Sequence, residues 1–246
     1  MSFSLKNNPF AVEAFFELSL VLTFAVPTSQ LKDLIPACLE LDTFNDKWAF
    51  IAIAVVKTKS LRPKGFPALF GNDFTLIGYR IFVSHTNSKG KRLRGLYILK
   101  SETDKKRMEV LGSIFTQYNY TTTDIKIVKQ TGSIEVNSSE SGLKISVDES
   151  QENAPLPISS PFANWKEARR FAGPLPFTFD YNDRTHQVLT IQGVRDKWIP
   201  RPVKVLKYKI PFLQELGLND VVLASAFILQ DIPYYWKKGK LELWQV

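Results

Sequence analysis

Residues 94–120 read RGLYILKSETDKKRMEVLGSIFTQYNY, and this stretch decides the fold because it passes from strand to helix to strand with no loop to spare. Residues 94–100 alternate, with Gly95, Tyr97 and Leu99 on one face and Arg94, Leu96, Ile98 and Lys100 on the other, the period of two expected of a strand. Ser101 is an N-cap residue type, Asp104 follows three positions later as the acidic member of a capping box, and Met108, Leu111 and Phe115 recur at helical spacing. The pattern predicts a strand that stops at Ser101 and turns directly into an amphipathic helix. Residues 116–120 return to β-favouring types and place Gln117, Tyr118, Asn119 and Tyr120 at the mouth of a sheet, where the polar groups of a site are expected.

The flanking chain supplies supports for that unit. Residues 1–13 are expected to form an N-terminal arm. Residues 18–26 are apolar and β-favouring up to Pro27, and TSQLKDLIPACL, residues 28–39, predicts a short helix capped by Thr28 or Ser29 and ended by Pro36. KWAFIAIAVVKT, residues 47–58, is almost continuously apolar and predicts a strand buried on both faces or closed into a barrel. The prolines and glycines of residues 61–72 make a loop of the kind that rims pockets.

Residues 74–84, FTLIGYRIFVS, form the next strand. Ile77, Tyr79, Ile81 and Val83 share one face, and Gly78, Arg80 and Phe82 share the other. Arg80 therefore either snorkels outward or enters an interior that must supply a polar partner. HTNSKGKR, residues 85–92, is a hairpin turn that includes His85. Residues 124–148 hold three short alternating strands in a meander, Ser160-Pro161 opens a second helix, and strands follow at 176–181, 187–194, 203–208 and 221–229, with a small helix at 212–216. The expected architecture is one mainly β, α+β domain spanning residues 1–246.

Bulk properties exclude several function classes. The 246 residues suffice for a large core, and a hydrophobic fraction of 44% argues against disorder. The one cysteine, Cys38, lies in the apolar context LIPACLEL and reads as a buried structural thiol in a reducing compartment. With no signal peptide and no apolar run near the ~20 residues that span a bilayer, a cytoplasmic protein without a membrane span is expected. Two histidines and one cysteine do not build a zinc cluster, and HExxH, CxxC, GxSxG, Walker and GxGxxG patterns are all missing, so neither a metal nor a cofactor is expected.

LKDLIPACLELD, the GYR strand, RGLYILKSETDKKRMEVLG, RRFAGPLPFTF and KWIPRPVKV occur together and in this order. In this the chain resembles the YqjF-like proteins, a branch of the acetoacetate decarboxylase-like superfamily. The resemblance implies a cone-shaped, mainly antiparallel β-barrel with peripheral helices and an internal small-molecule cavity. It also implies a test, because those decarboxylases attack a keto acid with a lysine amine activated by burial and a neighbouring lysine. The matching stretch, SIFTQYNYTTTD, has no lysine between Arg107 and Lys126, and Arg80 stands near where the resemblance places an acid. Lys100 and Lys126 read as solvated strand-end residues. Schiff-base decarboxylation is therefore not expected.

Two function classes remain. The first is a barrel that binds an anionic or keto-acid-like ligand, with Arg80 as anion anchor, Gln117, Tyr118 and Tyr120 as hydrogen-bonding or stacking groups, and Arg94 assisting. The second is a nucleic-acid or acidic-partner module, suggested by the net charge of +8 and by YYWKKGK at residues 234–240. Nucleic acid is disfavoured because the basic residues are spread along the whole chain. Whether the chain forms a homo-oligomer is left open by the sequence.

Overall fold

The computed structural model describes residues 5–151, 154–173, 175–195 and 198–244. In chain order the strands and helices are β1 (Val12–Pro27), β2 (Glu40–Leu41), β3 (Trp48–Pro63), β4 (Asn72–Thr86), β5 (Arg92–Thr103), α1 (Lys106–Phe115), β6 (Tyr120–Thr122), β7 (Lys126–Gln130), β8 (Ser133–Asn137) and β9 (Lys144–Asp148). They continue with α2 (Trp165–Ala172), β10 (Phe177–Asn182), β11 (Gln187–Arg195), β12 (Arg201–Pro202), β13 (Lys204–Lys209), α3 (Pro211–Glu215), β14 (Val222–Trp236) and β15 (Lys240–Leu243).

The larger sheet runs β14-β1-β3-β4-β5-β10-β11, and β11 pairs again with β14 through Gly193↔Trp236, Val194↔Tyr235 and Arg195↔Tyr234. The seven strands thus pair in a ring, which leaves these strands no open edge between them. All pairings in the ring are antiparallel except β5 with β10, which is parallel through Phe177↔Gly95 to Phe179↔Tyr97. The expected antiparallel barrel is therefore mixed at one seam.

Alternation divides each long strand between two environments. Leu20 and Leu22 of β1, Ile51, Ile53 and Val55 of β3, and Ile77, Tyr79, Ile81 and Val83 of β4 face outward into the main core. There they meet Ile134, Val136, Ile145 and Val147 of a second sheet, ordered β13-β9-β8-β7. Strand β3 is consequently buried on both faces, as its unbroken apolar run required. On the inner side, Phe50 and Ala52, Phe82, and Phe227 pack with Phe162, Ala168, Phe171 and Ala172 on and around α2, and this cluster floors the ring.

Several local expectations give way to tertiary contacts. Strand β5 runs on to Thr103 because pairing with β4 extends to Leu76↔Thr103, so Ser101 is a buried ladder residue and caps nothing. Asp104 accepts the Thr75 backbone N–H at 2.7 Å, and the α1 N-cap position, Lys105, makes no side-chain capping bond. Residues 28–34 form two 3₁₀ turns, Thr28–Gln30 and Lys32–Leu34, and no α-helix, since too few residues precede Pro36 to repay helix nucleation. Helix α2 starts at Trp165, capped by Asn164, which accepts the Glu167 N–H at 2.9 Å. Ser160, expected as that cap, donates instead to the Ala224 carbonyl at 2.7 Å.

His85 is a buried strand residue of β4 hydrogen-bonded to the Cys38 carbonyl at 3.1 Å, and the turn begins only after Thr86. Asn8, in the segment read as an arm, is buried and donates to the Lys237 carbonyl at 3.1 Å. Cys38 is a free thiol in the main core, and burial pushes its pKa up to about 11.

Candidate functional site

The ring encloses a cavity of about 440 Å³, within the range typical of small-molecule sites. Its walls come from the inner residues of the ring strands, including Ser19 and Val21 of β1, Ala52 and Ala54 of β3, Leu76, Arg80 and Phe82 of β4, and Leu96, Ile98 and Ser101 of β5. Residues 61–63, Asn72, the N-terminal segment at Asn8 and Phe10, and Met108, Leu111 and Phe115 of α1 frame the mouth. There Phe10 and Phe115 meet edge to face, with ring centroids 5.3 Å apart.

Arg80 points into this space. Its Nε is buried without a hydrogen-bond partner among the described residues. The groups acting electrostatically on its guanidinium are the hydroxyls of Tyr234, Tyr120 and Tyr118, with no carboxylate among them, and burial pulls its pKa below the ordinary guanidinium value. Burial also raises the three phenols: Tyr120 to about 12 against the opposing pull of Arg80, Tyr118 well above its usual value with Asp180 adding to the effect, and Tyr234 likewise upward. All three keep their protons at neutral pH, so the site offers O–H donors beside one cation.

Glycines make room for this group. A Cβ on Gly78 would lie 2.8 Å from Arg80 Nε, so the arginine folds back across its own strand over bare backbone. A Cβ on Gly112 of α1 would overlap the Tyr120 ring, and one on Gly193 of β11 would overlap the Tyr234 hydroxyl. Tyr234 is held from its other side by Phe16, stacked at 4.7 Å between centroids.

Of the residues singled out from the sequence, the structure brings Arg80, Tyr118 and Tyr120 together in the cavity. Gln117, in the turn between Thr116 and Tyr118, is not among the lining residues. Arg94 is tied elsewhere: its Nε donates to Asp42 Oδ2 at 2.7 Å and an Nη donates to the Phe171 carbonyl at 2.9 Å. Sequence reasoning missed Tyr234, Arg195 and Trp198, which also line the cavity. Arg195 lies over the Trp198 ring at 4.2 Å and is 5.8 Å from that of Tyr234. The alternation Ile232, Tyr234, Trp236 was the available signal, since all three pack on the inner apolar cluster as β14 continues past Leu229.

Lysine is missing from the lining among the described residues. Lys126 is exposed. Lys100 would share the inner face with Leu96 and Ile98 under strict alternation, but the β4–β5 register shifts between Tyr79↔Lys100 and Arg80↔Ile98, leaving Leu99 as an extra residue. This bulge turns Lys100 to the outer face, where its Nζ lies 2.8 Å from Glu102 Oε1. It is thus a partner in a half-buried ion pair, not a solvated strand end. Among the described residues no group of three or more His, Cys, Asp or Glu side chains could hold a metal ion, and no helix is long and apolar enough to cross a membrane.

These features define a class: a ring of strands around a small-molecule-sized, largely apolar cavity that Arg80 faces with an unpartnered Nε. Residues 16–229 match the profile of the DUF2071 family, described as an uncharacterized conserved protein (COG2071), and the chain belongs to that family. None of the curated proteins matches the sequence.

Among solved structures, the fold is similar to acetoacetate decarboxylase from Legionella pneumophila, with a TM-score of 0.59, 11% identity, and 95% of this chain and 88% of that chain covered. An acetoacetate decarboxylase-like enzyme from Sphingomonas wittichii RW1 is similar at a TM-score of 0.59 and 11% identity, over 97% and 94% of the two chains. The enduracididine biosynthesis enzyme MppR, complexed with the condensation product of pyruvate and imidazole 4-carboxaldehyde, also scores 0.59 at 11% identity, over 95% of this chain and 89% of its own. At such identity the likeness establishes the acetoacetate decarboxylase-like fold.

Proposed function

We propose that this protein is a cytoplasmic small-molecule-binding barrel whose cavity takes an anionic ligand at Arg80. The observation that carries the reading is the Arg80 guanidinium: its Nε is buried with no described partner, no described carboxylate acts on it, and it faces the cavity. A charged donor removed from water without a partner is costly, and an incoming carboxylate would supply both a countercharge and the acceptor that Nε lacks. Protonated Tyr118, Tyr120 and Tyr234 add donors around the same point, so the pocket suits an acceptor-rich anion.

The fold's occurrence in a protein complexed with a pyruvate-derived product supports small-molecule occupancy of such a barrel. Among the described residues the lining holds no lysine, which supports a reading without imine chemistry. The aromatics of residues 234–236 that motivated a nucleic-acid reading include Tyr234 and Trp236, both of which face the cavity.

The test is a thermal-shift series of wild type and Arg80→Met against small carboxylates and their neutral amides. Stabilisation of the wild type by carboxylates, absent for the amides and for the variant, is the expected result. Equal shifts in both proteins would remove Arg80 from the site and with it the reading.

A further inference from the structure

We infer that the ligand is a monocarboxylic acid with an apolar body, its carboxylate at Arg80 and its hydrocarbon part against the walls between Arg80 and the mouth. This inference rests on the anion reading above and adds the substrate class. Along β4 from the mouth inward the cavity-facing residues are Asn72, Phe74, Leu76 and then Arg80. Beside Leu76 on β3 lies its ladder partner Val56, and Phe16 and Leu111 add to the apolar lining. A bound molecule whose head reaches Arg80 therefore crosses a hydrocarbon-lined passage.

The polar complement is small and local. Of the other cations in the lining, Arg62 is committed to Glu13 at 2.7 Å, Arg195 is packed on the Trp198 ring, and Arg107 is exposed on α1. A second carboxylate or a row of hydroxyls lying against Phe74, Leu76 and Val56 would go unmatched there and weaken binding. A methylene in the same place is stabilised by its burial. With a water-sized group occupying ~30 Å³, the cavity has room for roughly 10–15 non-hydrogen atoms, the size of a medium-chain or aryl-alkyl acid. Pyruvate-sized acids would leave most of it empty, and sugar acids would strand their hydroxyls.

Isothermal titration of wild type and Arg80→Met with butanoate, hexanoate and octanoate, and with octanamide, gluconate and pyruvate, tests this. The expected result is octanoate binding that is lost with octanamide and in the variant. Affinity should rise about fourfold per added methylene, the factor equivalent to ~0.8 kcal/mol. Gluconate and pyruvate should bind at least tenfold more weakly than octanoate. Arg80-dependent binding of gluconate or pyruvate with no gain along the alkanoate series would overturn the apolar-body inference and leave the anion reading standing. Octanoate and octanamide binding alike, in both proteins, would sink the anion reading itself. No binding by any probe overturns the inference as stated.

Discussion

Lys100 and Glu102 sit two residues apart on β5 and form an ion pair, Nζ to Oε1 at 2.8 Å, on the face of the barrel wall away from the cavity. Glu102 is almost fully buried and also accepts the Tyr79 hydroxyl at 3.0 Å, while Lys100 lies within 5.8 Å of the Tyr79 ring and 5.2 Å of that of Phe212. Removing the ammonium strands a buried carboxylate with only a phenol for company. Lys100→Met is expected to cost about 3 kcal/mol in urea unfolding and to leave any carboxylate binding unchanged. Weakened binding in a variant that remains folded would place Lys100 in the functional site after all.

Arg80→Met should do the opposite. The wild-type Arg80 is half-buried with its Nε buried and unsatisfied, so replacing it with a flexible apolar side chain of similar length removes a desolvation cost. The unliganded variant is expected to be more stable by about 1–3 kcal/mol in urea unfolding, while losing ligand-induced stabilisation. Such an exchange of stability for function is what a binding site held in readiness predicts. A variant less stable than wild type would mean that Arg80 is structurally satisfied in solution.

The two sides of β4 were legible in the sequence, and the turn of Lys100 was not. Ile77, Tyr79, Ile81 and Val83 alternate without interruption, so period two alone puts them on one face and Arg80 and Phe82 on the other, while which face turns inward is set by the closure of the ring. Strand β5 carries the same pattern, but the extra residue at Leu99 is a property of its pairing with β4 and has no local mark. Ser101 failed as a cap for a related reason: two more ladder pairs with β4 outweigh a capping bond worth about 1 kcal/mol. Tyr234 was hidden by its neighbours, because lysines at 237, 238 and 240 give the segment a solvated look while the strand is still inside the ring.

Glycine positions offer a sharper check on the site. Gly193 is bare beneath the Tyr234 hydroxyl, and a methyl group there would overlap that oxygen. Gly193→Ala is expected to destabilise the protein by about 1–3 kcal/mol through overpacking. Adding Tyr234→Phe to this variant removes the overlapping atom and should recover part of the loss, measured as a positive coupling in a double-mutant cycle. Additive losses would show that the tyrosine does not occupy this position.

Asp180, on β10, gives the protein a pH dependence with a definite sign. Its Oδ1 accepts the Tyr181 N–H at 2.9 Å, but its Oδ2 is buried with no described partner, and burial raises the carboxyl from 3.8 to about 6 despite the opposing effects of that N–H and of Lys6. Between about pH 4 and 6 the folded state holds a proton that the unfolded chain has released. This contribution to stability therefore falls as pH rises through that window and stays low above it. Asp180→Asn has no such proton to lose. Wild type and variant should be nearly equal at pH 4, and at pH 7 the variant should be more stable by up to about 3 kcal/mol, two pKa units at 1.36 kcal/mol each. Glu17 and Asp124, held down at about 2 by their hydrogen-bond partners, lend stability that is lost toward acid, and they cancel in the difference because both proteins carry them. Paired urea titrations across pH 4–7 measure that difference, and a flat one would show that Asp180 is ionised and hydrated in the folded protein.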